Sequence, residues 1–209
     1  TTADGIEQLP KFSPDGSYIA FSGNYDGNTD IYLIPSLGGV AKRLTYHGMP
    51  DRMIDWYPDG NHILFASSRE SGKQRFNQFY KVTAQGGLPE KLPLEFAEFG
   101  ALSQDGKLLA FTPRTRLYRT WKRYKGGMAT NIWLFNLEDY SSEKITDNTF
   151  NNELPMWYGN KIYFLSDQGD EQRFNIWCYD RETKATRQIT RFSEYDIHFP
   201  SIGPEEIVF

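Results

Sequence analysis

The 209-residue sequence has little of what marks membrane, nucleic-acid-binding or disulfide-stabilised proteins. Its longest apolar runs, such as 63–66, are a few residues long, whereas a membrane helix needs about 20. A formal net charge of −4 gives no overall attraction to phosphate backbones or anionic lipids. The single cysteine, Cys178, excludes an internal disulfide and a cysteine-based zinc site. We therefore expect a folded domain that binds neither nucleic acid nor a membrane.

Catalytic and metal-binding motifs are also scarce. No Gly-x-Ser-x-Gly nucleophile elbow occurs. His47, His62 and His198 are scattered without metal-ligand spacing, so we expect turn or packing roles for them. We predict no catalytic residue, no metal and no cofactor for residues 1–209.

The spacing of polar residues in the loop 24–30 permits two interpretations. Asn24, Asp26, Asn28 and Asp30 place side-chain oxygens at alternate positions around Gly27, which would suit a hard cation such as calcium. The same residues suit the turn geometry of a hairpin loop. The arrangement lacks the glycine position and terminal glutamate of an EF-hand, so the hairpin loop is favoured.

The strongest positive signal is an internal repeat. Aromatic residues make up 16% of the chain, which favours strands. A short apolar triplet recurs at offsets of 44 to 53 residues. Its copies are 19–21, 63–65, 109–111, 162–164 and 207–209. A turn precedes each copy, and in the first three the turn contains Asp-Gly, which supplies the positive φ of a tight hairpin.

Two further strand patterns follow each of the first four triplets. One starts with a polar residue and includes Asp30, Gln78, Asn131 and Asn175; the other is basic and apolar and ends near Thr45, Pro93, Thr146 and Thr190. Four strand signals in about 45 residues are typical of a β-propeller blade. A long meander or β-sandwich also has short, evenly spaced strands, but it does not repeat the same residues in the same order.

The repeats predict an all-β fold of four-stranded antiparallel propeller blades. We expect one partial propeller domain over 1–209, with units at approximately 8–45, 52–93, 98–146, 154–190 and 197–209. Only four units are complete, and an open propeller exposes unpaired strand edges. We therefore expect further residues on both sides, with at least one blade before Thr1.

The repeated pattern resembles a known group of propellers. The run Phe12-Ser13-Pro14-Asp15-Gly16, followed by 19–21, 30–32 and 43–45, is similar to the WD40-like repeats of TolB and tricorn propellers. The segment 118–127, followed by 131–134, resembles the N-terminal propeller of tricorn-type serine proteases. That resemblance implies six blades in the parent protein.

One segment of the third unit is strongly basic, although the net charge of the whole chain is negative. It contains Arg114, Arg116, Arg119, Lys122, Arg123 and Lys125. Converging cations can bind a carboxylate, and a solvated or domain-contacting loop is an equal alternative. The tricorn resemblance implies that Lys122 and Arg123, with Arg119 beside them, bind the C-terminal carboxylate of a peptide. The family pair is typically two arginines, and Lys122 departs from it by offering a point charge.

Three functions follow from the resemblance. The first is a non-catalytic propeller of a tricorn-like serine protease that gates or guides peptides to a catalytic core outside this chain. Its partners would be peptides or unfolded polypeptide, other domains of the same chain and further copies in a homo-oligomer. Its location would be cytoplasmic. The second is a TolB-like protein-interaction propeller, periplasmic if a signal peptide was removed. The third is the propeller lid of a prolyl-oligopeptidase-type hydrolase.

Overall fold

The computed structural model describes residues 4–72, 76–115, 124, 126–146, 149–203 and 205–209. Within these ranges there is no α-helix, and the regular structure consists of eighteen β-strands. The chain divides into two compact units, Thr1–Glu98 and Phe99–Phe209.

The first unit contains two four-stranded antiparallel sheets. One is built from β1 (Glu7–Phe12), β2 (Tyr18–Gly23), β3 (Asp30–Pro35) and β4 (Lys42–Arg43). The other is built from β5 (Asp51–Trp56), β6 (His62–Ser67), β7 (Gln78–Thr83) and β8 (Glu90–Lys91). In both sheets each strand pairs with the next along the chain, as in a propeller blade.

The second unit contains two more sheets of this kind and a final hairpin. The third sheet comprises β9 (Phe99–Leu102), β10 (Leu108–Thr112), β11 (Trp133–Asn136) and β12 (Ser142–Lys144). The fourth comprises β13 (Asn152–Tyr158), β14 (Lys161–Ser166), β15 (Asn175–Asp180) and β16 (Thr186–Gln188). The hairpin pairs β17 (Ser201–Ile202) with β18 (Ile207–Val208). The predicted fold class is confirmed: four complete antiparallel blades and the start of another.

The Asp-Gly turns between the first two strands form as the sequence predicts. In the first blade Gly16 has φ 73°, and Ser13 Oγ donates to Asp15 Oδ1 at 2.6 Å while accepting from the Tyr18 N–H at 3.0 Å. The third blade repeats this arrangement, since Ser103 Oγ donates to Asp105 Oδ1 at 2.5 Å. These contacts close the hairpin and satisfy the polar groups at its tip.

A threonine ties the third strand to the end of the fourth in three of the blades. Thr45 Oγ1 accepts from the Ile31 N–H at 3.0 Å and lies 3.3 Å from Asp30 Oδ1. Thr146 and Thr190 make the same two contacts with Asn131–Ile132 and Asn175–Ile176. The recurring polar residue and threonine thus satisfy the buried ends of the strands.

Each unit has its own apolar core between neighbouring blades. In the first unit β5 packs against β1, β2 and β3, burying Ile31, Met53, Trp56, Ile63 and Phe65. In the second, β13 packs against β9 and β10, with Ala110, Ile132 and Phe164 in the core. The apolar triplets supply the centre of these cores, because the second strand of a blade is covered on both faces.

Candidate functional site

The three residues predicted to bind a carboxylate, Lys122, Arg123 and Arg119, lie outside the described residues. The residues that flank their segment are described. Thr115 is buried at one end, and Tyr124 lies at the other. The candidate site is therefore defined through the contacts of these two residues.

Both flanking residues contact buried polar side chains of the third and fourth blades. We call the whole group the polar anchor, and all its members except the exposed Tyr124 are buried; it consists of Thr115, Tyr124, Thr130, Asn151, Glu153 and Asp167. Glu153 is fully buried, and its carboxylate accepts from Thr115 Oγ1 at 2.9 Å and from Thr130 Oγ1 at 3.3 Å. These hydroxyl donors compensate part of the cost of burying a carboxylate.

Asn151 completes the polar anchor on the Tyr124 side. Its Nδ2 donates to the Tyr124 carbonyl at 3.0 Å and to Asp167 Oδ2 at 2.8 Å. The Asn151 N–H also donates to Asp167 Oδ1 at 2.8 Å. Asp167 therefore fixes the side chain of Asn151, which in turn donates to the backbone carbonyl of Tyr124.

A backbone bulge directs Glu153 into this cluster. The pairing of β13 with β14 shifts between Glu153 and Met156, and Leu154 has φ 51°. Two residues then oppose one on β14, which turns the strand locally and changes the direction of the side chains beside it. The sequence signal for this site is the polar run 151–153 directly before Leu154-Pro155, which neither the repeat nor the catalytic and metal-binding motifs single out.

In the loop 24–30, whose spacing suits either a calcium site or a hairpin turn, two carboxylates pair with the side chain of Arg43. Arg43 Nη1 lies 2.9 Å from Asp26 Oδ2, and Arg43 Nη2 lies 2.6 Å from Asp30 Oδ2. Asn28 Nδ2 donates to the His47 carbonyl at 2.5 Å. The guanidinium occupies the position beside the carboxylates that a metal ion would need, which supports the hairpin-loop interpretation.

The other candidate ligands make local contacts. His62 Nδ1 lies 2.6 Å from Asp59 Oδ2, and His47 Nδ1 accepts from the Met49 N–H at 3.1 Å. Cys178 is buried. Among the described residues, no three His, Cys, Asp or Glu side chains are grouped so as to hold a metal ion. The same ranges contain no helix with the length and apolarity needed to cross a bilayer.

Four-stranded blades with Asp-Gly turns define the class as a β-propeller of WD40-like repeats. The family model of the tricorn protease N-terminal beta propeller domain matches residues 1–209. The chain belongs to this family.

Relatives and solved structures agree with that assignment. The tricorn protease homolog of Saccharolobus solfataricus is 29% identical over 218 residues, covering all of this chain and 19% of the relative. The crystal structure of the tricorn protease matches with a TM-score of 0.77 at 24% identity, over 96% of this chain and 20% of that one. A putative TolB from Agrobacterium tumefaciens matches with a TM-score of 0.69 at 22% identity, over 89% of this chain and 67% of that one. The two structural matches show the fold alone, and the chain spans about a fifth of the first two proteins.

Proposed function

We propose that this chain is a non-catalytic propeller module of a tricorn-like serine peptidase, in which it guides peptides to or from a catalytic core outside these 209 residues. The observation that carries the proposal is the family match over the whole chain, together with the third-blade basic segment. The module works in the cytoplasm on peptides or unfolded polypeptide, and it contacts other domains of its own chain and further copies.

Within this module, Lys122 and Arg123 bind the C-terminal carboxylate of the peptide, with Arg119 as a further cation. Guanidinium and ammonium groups bind carboxylates through charge-assisted hydrogen bonds. The polar anchor supports this role because it fixes Thr115 and Tyr124, the residues on either side of the segment. A segment held at both ends loses less conformational entropy when it binds a ligand than a free loop does.

The test is to reverse both charges in the full-length peptidase with K122E/R123E. We expect KM for peptides with a free C-terminus to rise about tenfold or more, since a hydrogen bond to a charged group contributes about 1.5–3 kcal/mol. The kcat should change little. Peptides with an amidated C-terminus lack the charge, so their KM should stay constant.

A matched variant controls for net charge. K184E/R191E makes the same charge change at two exposed positions, one in the fourth blade and one directly after it. It should leave KM for both peptide series unchanged. Equal increases in KM for free and amidated peptides with K122E/R123E would contradict carboxylate binding.

A further inference from the structure

A cleft of about 310 Å³ lies between the third and fourth blades. Two turns that join first and second strands, at 103–105 and 159–160, line it together with Trp157 and Arg181. Its volume is at the lower end of the range for small-molecule sites, roughly 300–1,000 Å³. The turn 103–105 precedes β10 and Thr115 follows this strand, so the cleft and the polar anchor lie at opposite ends of β10.

Trp157 forms a fixed apolar wall of this cleft. Its Nε1 donates to the Gly159 carbonyl at 2.7 Å, and its ring packs against the core of the second unit. The Arg181 guanidinium lies over this ring, 5.5 Å from the ring centre. A cation held over an indole keeps its position while its N–H groups stay available to a ligand.

The corresponding position in the first unit is filled by packing. Trp56 takes the place of Trp157, since each is paired with the first residue of an apolar triplet. Trp56 is buried, and its Nε1 donates to the Lys11 carbonyl of the preceding blade at 3.0 Å. Ala84 takes the place of Arg181, with the same N–H contact to the residue before the second strand, and it packs against the core. The turn geometry therefore does not require a cation at Arg181.

Two opposite charges line the cleft without pairing with each other. Asp105 accepts at Oδ1 from Ser103 Oγ at 2.5 Å and from the Lys107 N–H at 3.0 Å, so this turn does not use Oδ2. The hydrogen bond from Ser103 lowers the pKa of Asp105, which keeps the carboxylate charged at neutral pH. Among the residues that the structure describes, no carboxylate oxygen lies within 4.0 Å of the Arg181 guanidinium nitrogens. Such a pair favours a ligand that carries both an anionic and a cationic group.

We propose that this cleft binds a zwitterionic α-amino acid, whose carboxylate pairs with Arg181 and whose ammonium group pairs with Asp105. The side chain of the amino acid lies towards Trp157. The amide side chains of Gln104 and Asn160 line the same cleft. The inference goes beyond the proposed function, because the site uses neither the basic segment nor the catalytic core.

Calorimetric titration of the full-length polypeptide, treated with a serine-directed phosphonate inhibitor, tests the proposal. The probes are L-leucine, N-acetyl-L-leucine, which lacks the ammonium group, and L-leucinamide, which lacks the carboxylate. We expect L-leucine to bind about tenfold or more tightly than either analogue, because each analogue loses one charge-assisted interaction.

Two variants that each remove one charge assign the contacts. R181Q should weaken the binding of L-leucine about tenfold or more and leave that of L-leucinamide unchanged. D105N should weaken the binding of L-leucine to a similar extent and leave that of N-acetyl-L-leucine unchanged. Unfolding would not give this reciprocal pattern. The control R191Q removes the charge of an exposed arginine after the fourth blade and should change none of the three affinities.

Absence of L-leucine binding at millimolar concentration would overturn the proposal, and so would an affinity that R181Q and D105N leave unchanged. Equal binding of L-leucine and N-acetyl-L-leucine would show a simple anion site and would overturn it as well. The measurement does not depend on catalysis. An inactive protein that binds L-leucine contradicts only the proposed function, and an active protein that does not bind it contradicts only the amino-acid site.

Discussion

At the residue scale, the least expected feature is a set of non-glycine residues with positive φ, each followed by proline. Leu9, Leu154 and Phe199 have φ of 54°, 51° and 49°. At Leu9 and Leu154 the first strand of the blade carries a bulge. Proline has no N–H for the ladder, and a bulge removes the need for one. Each such residue costs on the order of 1–3 kcal/mol, which the surrounding sheet must offset.

Asp15 gives a prediction at the same scale. Its hydrogen bonds with Ser13 and Ser17 lower the pKa of Asp15 to about 2, from 3.8. A carboxyl group with a lowered pKa stabilises the fold above its unfolded pKa, and this contribution is lost as the pH falls through 3.8 towards 2. At pH 7 we expect D15N to unfold at a lower urea concentration than the unsubstituted protein. The difference between the two midpoints should shrink below pH 4.

The measurement is urea unfolding of both proteins at several pH values. D105N provides a parallel case, because the hydrogen bond from Ser103 lowers the pKa of Asp105 in the same turn of the third blade. A difference between D15N and the parent that stays constant from pH 7 to pH 2 would contradict the linkage.

At the element scale, side chains complete the pairing of the outer strands. Only two or three residues of each fourth strand pair regularly. Beyond β4, the Leu44 N–H donates to the Ile31 carbonyl at 2.8 Å, and Thr45 then accepts from the Ile31 N–H. The second blade has Pro93 at the corresponding position, which lacks a hydroxyl group. In three of the four blades, a threonine hydroxyl therefore accepts the N–H of the third strand that the short fourth strand leaves without a backbone acceptor.

Replacing Thr45 tests this element. In T45V the buried Ile31 N–H loses its acceptor, which should lower the free energy of unfolding by about 1–3 kcal/mol. T45S keeps the hydroxyl group and should lose less. Chemical denaturation of the two variants and the parent measures the difference. A T45V variant as stable as the unsubstituted protein, or a larger loss in T45S than in T45V, would contradict the stabilising role of this hydrogen bond.

The repeat was sufficient to predict the blades, because strand order in a meander follows chain order. The second and third strands lie where the apolar triplets and the polar-led patterns predict them, although β11 begins at Trp133, two residues after Asn131. The bulges could not be predicted in this way, since Leu-Pro alone does not specify a positive φ. The polar anchor was missed because Thr115 and Glu153 are 38 residues apart and only the fold brings them together.

At the scale of the whole molecule, the chain is a propeller module. Belonging to the tricorn N-terminal propeller family follows from the match over residues 1–209. Carboxylate binding and peptide guidance are proposals, since a fold does not by itself specify function. Among the described residues, the polar anchor positions Thr115 and Tyr124, which lie on either side of the basic segment.

The non-catalytic role of this propeller in a serine peptidase is tested most directly by hydrolysis of fluorogenic peptides by the full-length polypeptide, with and without a serine-directed phosphonate inhibitor, beside the 209-residue chain. We expect inhibitable hydrolysis by the full-length polypeptide and none by the 209-residue chain. Hydrolysis by the 209-residue chain itself, or a properly folded full-length polypeptide that cleaves no peptide, would contradict it.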